Sequence, residues 1–289
     1  MQPNSTQNNI LKFPPLISKP IKRNIGYILH AIIPGCEFEY NLVEKVKIST
    51  KISEDLYHLK NGQKIIITKR SKLERPENVD GVLREVNGKY SWLSHKLNDR
   101  FDSELQAKGL NQISKDISES WTGQFNFQVE KKEEDGSIKQ IGLRPPQIGG
   151  LHSIGSHWSL YNQPATIVMP TGTGKTETML AALVAYQIEN LLVVVPSKVL
   201  RNQTAKKFLT LGLLRQLNCL LGIARNPIVG VITGRPQNDA DLKIFEDCNV
   251  VISTMAALSD QSTSKFFTKI ANNVGTLIVD EAHHIGAKG

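Results

Sequence analysis

The second half of the chain alternates short β-branched and aliphatic runs with segments long enough for helices. Continuous apolar runs of this length, bounded by turn residues, are typical of buried strands. Strands that alternate with helices predict right-handed crossovers and a mostly parallel sheet covered on both faces, which is an α/β fold. The predicted strands are 165–169, 191–195, 228–232, 250–253 and 276–280, and the predicted helices are 176–187, 199–211 and 262–272.

The pattern changes near residue 140, and the first half gives weaker signals. A strand is predicted at 64–68 and helical stretches at 94–120. Alternating apolar residues on both sides of Asp135-Gly136 favour a hairpin, with a solvated linker at 130–135 as the alternative. The prolines near the beginning indicate an extended arm. We therefore predict a flexible arm at 1–24, an α+β accessory domain at 25–140 and the α/β domain at 141–289.

Length and composition are those of an ordinary folded protein. The 289 residues are about twice the roughly 150 expected of one domain, and 40% of them are hydrophobic. No apolar stretch approaches the roughly 18 residues of a membrane span, and the polar beginning does not resemble a signal peptide. An intracellular, cytoplasmic protein that does not use a membrane is expected. Three cysteines without CxxC spacing predict free thiols, and neither a disulfide framework nor a zinc site.

The net charge is +8, and the excess of basic residues is spread over both halves of the chain. A positive net charge permits a polyanionic partner such as nucleic acid. Because no basic tail or block is present, the charge by itself does not identify that partner.

Residues 169–176, Met-Pro-Thr-Gly-Thr-Gly-Lys-Thr, lie between a predicted strand and a predicted helix. Backbone N–H groups can enclose a phosphate only where glycines allow close approach, and the phosphate then lies at the positive end of the following helix. The pattern is that of a phosphate-binding loop, with Met169 in place of its first glycine. Lys175 is predicted to bind the β and γ phosphates of ATP, and Thr176 to bind Mg²⁺. The other predicted ATP-binding residues of this loop are Thr171, Gly172, Thr173 and Gly174.

A predicted buried strand at 276–280 ends in two adjacent carboxylates, Asp280 and Glu281. Ligands of open α/β sheets bind beyond the carboxyl ends of the strands, where a Mg-nucleotide would lie. Asp280 is predicted to hold Mg²⁺ through water, and Glu281 to orient and deprotonate the attacking water. By itself the pattern also fits a helix start with Asp280 as N-cap, but the upstream Lys175 favours a catalytic pair.

The sequences Pro-Thr-Gly-Thr-Gly-Lys-Thr at 170–176 and Asp-Glu-Ala-His at 280–283 together resemble superfamily 2 helicases and translocases of the DEAD/DEAH type. The resemblance covers 143–289 and implies a RecA-like P-loop NTPase domain that couples ATP hydrolysis to movement on nucleic acid. Residues 143–147, Leu-Arg-Pro-Pro-Gln, resemble the element of the restriction-enzyme-like branch whose glutamine contacts adenine, which implies that role for Gln147. His283 matches the residue that couples the nucleotide and nucleic-acid sites.

Three short sequences resemble the segments through which members of this family contact the nucleic-acid backbone. Hydroxyl groups, backbone N–H groups and lysine read charge and spacing but not base sequence. Met255, at a position where proline is common in RNA-directed members, favours DNA over RNA. Structural roles are the alternatives: Ser197 as a helix N-cap, Thr233-Gly234 as an ordinary turn, and Gln147 as a surface residue. The implied contact residues are Ser197, Lys198, Thr233, Gly234 and Thr254.

Members of this family carry a Ser-Ala-Thr element, closing strands and a second RecA-like domain with an arginine finger after the DEAH sequence. The resemblance therefore implies a first RecA-like domain that is incomplete at its C-terminal end and needs the second domain for activity. Two alternatives are a remnant or regulatory module that binds nucleotide or DNA without turnover, and another P-loop machine such as an AAA+ ATPase. Residues 25–140 are expected to serve partner docking, substrate choice or autoinhibition.

Overall fold

The computed structural model describes residues 9–50, 52–258 and 265–282. The chain divides into two compact units, one of Met1–Ser18 with Ala31–Ala107 and one of Lys19–His30 with Lys108–Gly289. These boundaries differ from the predicted ones at 24 and 140. A physical reason lies in helix α1 (Lys96–Glu119), which Gly109 interrupts with φ 75° and ψ 163°, a backbone conformation that favours glycine. The predicted functional division at residue 140 stays a prediction.

The first unit is built on a six-stranded sheet. Its spatial order is β1-β5-β6-β7-β8-β9, antiparallel except for the parallel pair β7 and β8. One face buries Leu11, Phe13, Leu59, Ile65 and Leu83, and the other buries Leu56, Ile66, Val79 and Val82. The strands are β1 (Ile10–Phe13), β5 (Cys36–Ser49), β6 (Ile52–Leu59), β7 (Lys64–Thr68), β8 (Gly81–Val86) and β9 (Lys89–His95).

The expected flexible arm is wrong for the described part of the N-terminal region, which forms three strands: β1, β2 (Leu16–Ile17) and β3 (Ile21–Arg23). Strand β1 pairs with β5 from Ile10↔Glu39 to Phe13↔Cys36. The side chains of Phe13 and Leu16 are 5% and 1% exposed. Burial of these apolar side chains and a paired backbone outweigh the tendency of nearby prolines to break structure. Residues 1–8 lie outside the described ranges.

The second unit contains the predicted parallel sheet, so the protein is a mixed α/β structure. Four strands lie in the order β15-β12-β14-β13 and pair in parallel: β12 (Leu191–Val195), β13 (Ile228–Ile232), β14 (Val250–Thr254) and β15 (Thr276–Val279). Strands β12, β13 and β14 are buried at every position, as the continuous apolar runs predicted. The predicted burial of β15 is wrong: it is the last strand of the described sheet on its side, and Leu277 is 57% exposed. The helices are α2 (Pro145–Leu160), α3 (Lys175–Ala185), α4 (Lys198–Thr210), α5 (Lys243–Asp247), α6 (Met255–Leu258) and α7 (Phe267–Asn273), with a 3-10 turn at Asp239–Leu242.

The predicted strand at 165–169 is wrong: these residues form neither strand nor helix, and Val168 is 89% exposed. A strand requires a neighbour that takes up its backbone N–H and C=O groups. Apolar, β-branched composition provides strand propensity but not that neighbour, and within the described residues none lies beside this segment. The phosphate-loop sequence therefore follows an extended, exposed segment.

The N-terminal strands β3 and β4 (Gly26–Ile33) form a hairpin whose pairing extends the parallel sheet. Residues 26–30 of β4 pair antiparallel with β13, from Gly26↔Ile232 to His30↔Ile228. A Cβ atom at position 26 would lie 1.9 Å from the Val231 carbonyl oxygen, so only glycine fits there. Ile25 and Ile28 are 2% and 1% exposed, and burial of each such side chain contributes about 1.5–3 kcal/mol. The hairpin is thus firmly attached to this sheet, which the sequence did not indicate.

Several other sequence predictions are confirmed. The strand at 64–68 is present, and the helices at 176–187 and 199–211 correspond to α3 and α4. Strands β10 (Lys131–Lys132) and β11 (Ile138–Gln140) pair antiparallel, which supports the hairpin over the linker. The helix predicted at 262–272 corresponds to α7, although 259–264 lie outside the described ranges.

The cysteines carry free thiols, as expected. Burial raises the pKa of Cys36 to about 11 and that of Cys248 well above its ordinary value. Because the thiolate is the reactive form, both side chains are poor nucleophiles near neutral pH. Among the described helices, none combines the length and the apolar character that crossing a bilayer requires.

Candidate nucleotide and nucleic-acid site

The predicted functional residues lie at one edge of the parallel sheet. Parallel strands all present their carboxyl ends at the same edge, where α/β proteins bind their ligands. Residues 196–198 follow β12, Thr233 follows β13, Thr254 ends β14 and Asp280 follows β15. The backbone N–H of Asp280 also donates to the carbonyl of Val194 at 2.9 Å, so the pairing of β15 with β12 continues up to the acidic residues.

The glycine-rich loop turns tightly into helix α3, whose N-cap is Gly174. Gly172 and Gly174 have φ angles of 81° and 92°, in the left-handed region that favours glycine. Thr173 donates its hydroxyl to the carbonyl of Pro170 at 2.7 Å, which closes the turn. Thr171 and Gly172 are exposed, whereas Thr173, Gly174 and Thr176 are half-buried. Helix α3 begins at Lys175, so the N–H groups of its first turn face the loop, as an anion site requires.

The structure brings Lys175 and Glu281 together, although 106 positions separate them in the chain. The Lys175 Nζ donates to Glu281 Oε1 at 2.5 Å, and the two side chains are 31% and 29% exposed. Glu281 has a φ angle of 53°, an uncommon conformation for a residue with a side chain, and its N–H donates to Asp280 Oδ1 at 3.0 Å. The residue with the left-handed backbone, Glu281, is therefore the one whose carboxylate contacts the phosphate-loop lysine. Strained backbone of this kind concentrates at functional sites.

Gln147 is attached to the phosphate loop and is not a surface residue. The residue is only 5% exposed, and its side-chain Nε2 donates to the carbonyl of Gly174 at 3.2 Å. Its Oε1 accepts the N–H of Arg144 at 2.7 Å. A Cβ atom at position 174 would lie 2.0 Å from the Gln147 Nε2, so the contact depends on glycine there. The surface alternative for Gln147 is therefore wrong.

Two arginines of this site were missed by sequence reasoning. The Arg144 guanidinium donates to the carbonyl of Gly172 at 3.1 Å, so residues 144 and 147 both hold the phosphate loop. Arg201 is 7% exposed and donates from Nη1 to the carbonyl of Ile232 at 2.9 Å, which ties helix α4 to the end of β13. A signal for Arg201 was available: it occupies the first position of the buried stripe formed by 201, 204, 205 and 208 on α4.

The predicted nucleic-acid contacts differ in their exposure. Ser197 and Lys198 are exposed at the start of helix α4, and the Ser197 hydroxyl accepts the N–H of Leu200 at 3.2 Å. The N-cap role of Ser197 is thus confirmed, which leaves its contact to nucleic acid a prediction. Thr233 is exposed and Gly234 half-buried, whereas Thr254 is 6% exposed. Thr254 offers little surface to a ligand in this conformation.

His283 lies outside the described residues, so its coupling role stays a prediction. In the described part of the chain, no three His, Cys, Asp or Glu side chains gather as a metal-binding group. Thr176 and Asp280 are the residues predicted to hold Mg²⁺, and Mg²⁺ characteristically takes few protein ligands and keeps water and phosphate oxygens.

Comparison with known proteins identifies the family. The family model described as type III restriction enzyme, res subunit, matches residues 140–289, slightly more than half of the chain. No match was found among curated proteins. The match spans the phosphate loop, Gln147, the acidic pair and the parallel sheet that carries them. The chain therefore belongs to the type III restriction enzyme res subunit family, a helicase-like branch of the superfamily 2 ATP-dependent enzymes that act on nucleic acid.

Proposed function

We propose that residues 141–289 form the ATP-binding, first RecA-like domain of a DEAH-box ATPase that couples ATP hydrolysis to movement on DNA. The observation that carries this proposal is the contact between Lys175 and Glu281 at the carboxyl edge of the parallel sheet. It joins the lysine that would bind phosphate to the carboxylate that would activate water. A chance pair of a glycine-rich turn and an acidic strand end would have no reason to meet there.

The residues present suit a magnesium nucleotide. Two left-handed glycines allow close backbone approach, and apart from Gly172 and its chain neighbours no atom of the described residues lies within 4 Å of where a Cβ at position 172 would stand. The first turn of α3 and the Lys175 ammonium provide positive potential for phosphate oxygens. The Thr176 hydroxyl would bind the metal ion directly, and the Asp280 carboxylate would hold it through water. When bound, Mg²⁺ would neutralise the charge that develops on the phosphate oxygens.

Lys175 cannot keep its close ion pair with Glu281 and at the same time bind a phosphate group equally well. Its ammonium has three donors, but the 2.5 Å contact with Glu281 fixes its position beside the carboxylate. To bind phosphate, Lys175 must move away from Glu281, and the released carboxylate is then free to accept a proton from water. The same exchange would make the Glu281 carboxylate available to water only when nucleotide is present.

Residues that would contact DNA are connected to the nucleotide-binding edge through short structural links. Ser197 and Lys198 follow β12, which pairs directly with the strand that carries Asp280. Arg201 ties the same helix to the last residue of β13, directly before the Thr233-Gly234 loop. A shift of Asp280 or Glu281 on nucleotide binding would therefore reach the proposed DNA contacts through packed strands and one buried arginine. The preference for DNA over RNA rests on Met255 alone and is part of the proposal.

A Lys198→Ala variant tests the DNA contact. Loss of one lysine-phosphate contact is expected to weaken binding of single-stranded DNA and to lower the slope of log affinity against log salt by about 0.7. Fluorescence anisotropy with a labelled oligothymidylate at several salt concentrations measures both. Lys206→Ala is the matched control, because Lys206 is exposed on the same helix but near its other end. An unchanged slope in Lys198→Ala would argue against this contact.

A Gln147→Ala variant separates two roles of Gln147. If Gln147 contacts adenine, the variant loses the preference for ATP over GTP, because a hydrogen bond to the base edge is removed. If Gln147 only holds the loop through the Gly174 carbonyl, affinity for both nucleotides falls by the same factor. We expect the loss of preference in addition to a general weakening. Competition of ATP and GTP against a fluorescent ATP analogue measures the ratio, and an unaltered ratio would contradict the adenine contact.

A further inference from the structure

We infer that the tip of the N-terminal hairpin, residues Lys22 to Ile25, belongs to the surface that binds the nucleic-acid backbone. We call this segment the hairpin tip. It precedes the family match by more than a hundred positions, and the inference rests on the proposed function of the sheet edge. The interaction surface would thus combine a segment from the beginning of the chain with loops of the matched region.

The position of the hairpin tip is fixed by strand pairing. Gly26 pairs with Ile232, the last residue of β13, so the turn before Gly26 lies at the carboxyl end of that strand. The same edge carries residues 196–198, Thr233-Gly234 and Asp280. In the order β15-β12-β14-β13-β4, the hairpin lies beside the Thr233-Gly234 loop and on the side away from the strand that carries Asp280.

The hairpin tip already occupies the donors of Thr233 and Gly234. The carbonyl of Ile25 accepts the N–H of Thr233 at 2.7 Å, the N–H of Gly234 at 3.0 Å and the Thr233 hydroxyl at 3.4 Å. These are the groups expected to contact phosphate at this loop. All three donors are used within the protein. A phosphate bound at this loop would therefore need other groups to hold it, such as positively charged side chains.

Displacement of the hairpin to free those donors is disfavoured by its attachment. Five residue pairs join β4 to β13, and both Ile25 and Ile28 are buried. The Asn24 Nδ2 donates to Asp241 Oδ1 at 3.1 Å, and the Arg23 guanidinium pairs with Asp247 Oδ2 at 2.9 Å. A contact to one phosphate would not replace all of these interactions. The hairpin tip is therefore a fixed part of the edge.

The charge at the hairpin tip suits a polyanion. Lys22 and Arg23 are exposed, and Arg235 lies exposed directly after Thr233-Gly234. Two carboxylates face the tip: Asp247, which Arg23 pairs with, and Asp241, which accepts the N–H groups of Gln237 and Asn238 as well as the Asn24 amide. The charge of Asp247 is thus balanced by Arg23, the Asp241 carboxylate is engaged by neutral donors within the protein, and Lys22 and Arg235 add positive charge. Phosphate groups match this chemistry without base recognition.

Substitutions of Lys22 test the inference in the full 289-residue chain. Lys22→Ala is expected to weaken binding of a labelled oligothymidylate and to lower the salt slope by about 0.7, and Lys22→Glu to weaken it further through repulsion. Lys22→Arg should retain wild-type binding, since it keeps the charge. Lys206→Ala is again the matched control, and thermal unfolding should be the same in all variants because Lys22 is exposed.

The outcomes separate the hairpin tip from the proposed function. Lower slopes in both Lys22→Ala and Lys198→Ala support a surface that includes the tip. A lower slope in Lys198→Ala with wild-type slopes in Lys22→Ala and Lys22→Glu overturns the inference about the tip and leaves the proposed function intact. If the wild-type chain shows no salt-dependent binding of single-stranded DNA or RNA, both are wrong.

Discussion

Replacing Lys175 by alanine is expected to lower the affinity for Mg-ATP by about a hundredfold or more. Hydrogen bonds to charged groups contribute about 1.5–3 kcal/mol each, and Lys175 is proposed to reach two phosphates. A hundredfold loss corresponds to about 2.8 kcal/mol, just below the roughly 3–6 kcal/mol that two such contacts contribute, so a larger loss is also consistent. The variant also leaves the Glu281 carboxylate, now 2.5 Å from Nζ, without this partner and close to the incoming negative charge.

Titration calorimetry with Mg-ATP measures the loss, and the double variant Lys175→Ala/Glu281→Gln separates its two causes. If repulsion from Glu281 contributes, the double variant binds nucleotide more tightly than Lys175→Ala alone. The coupling between the two residues is the part of this gain that differs from the effect of Glu281→Gln in the wild-type chain. Lys206→Ala should bind nucleotide like the wild type, because Lys206 is exposed on helix α4. Unchanged affinity in Lys175→Ala would refute the assignment of the phosphate site.

Replacing Glu281 by glutamine is expected to change turnover and binding in opposite directions. Removal of a general base lowers a rate by about 10²–10⁴-fold, and glutamine keeps the shape of the side chain while it loses the ability to accept the proton. Nucleotide affinity should rise by up to about fivefold, because a partly exposed ion pair worth up to about 1 kcal/mol no longer holds Lys175.

Phosphate release in the presence of saturating single-stranded DNA measures turnover, and calorimetry measures the affinity. Glu189→Gln is the matched control, since Glu189 is an exposed carboxylate before β12. Wild-type turnover above that of Glu281→Gln would exclude the alternative of a module that binds without hydrolysis. Weaker nucleotide binding in Glu281→Gln would show that the carboxylate supports the site and does not compete for Lys175.

Local patterns in the second half were sufficient for most of its elements. The continuous apolar runs at 191–195 and 228–232 correspond to strands that are buried at every position, because a central parallel strand is covered on both faces. The glycine-rich loop and the acidic strand end were recognisable because phosphate and magnesium each require a short, fixed set of groups. The segment at 165–169 shows the limit of this reasoning, since its composition favours a strand that has no partner in the described structure.

Contacts between segments that lie far apart in the chain could not be predicted from the sequence. Nothing in residues 21–30 indicates that they pair with a strand some 200 positions later, because backbone pairing depends on spatial neighbours and not on local composition. The partners of Arg201 and Arg144 could not be predicted for a related reason: each arginine donates to a backbone carbonyl, and every residue type supplies one. The chain separation of 106 residues between Lys175 and Glu281 likewise gave no distance between their side chains.

Local sequence patterns were enough to identify the kind of chemistry: a glycine-rich turn with a lysine, two carboxylates after an apolar strand, and most of the strands and helices that position them. These features depend on local physical requirements, such as backbone conformation, hydrophobic periodicity and donor type. Three-dimensional packing was needed to show that Lys175 contacts Glu281, that Gln147 holds the phosphate loop and that an N-terminal hairpin covers the donors of Thr233 and Gly234. Those contacts arise from packing between segments far apart in the chain, which the free energy of the whole fold selects.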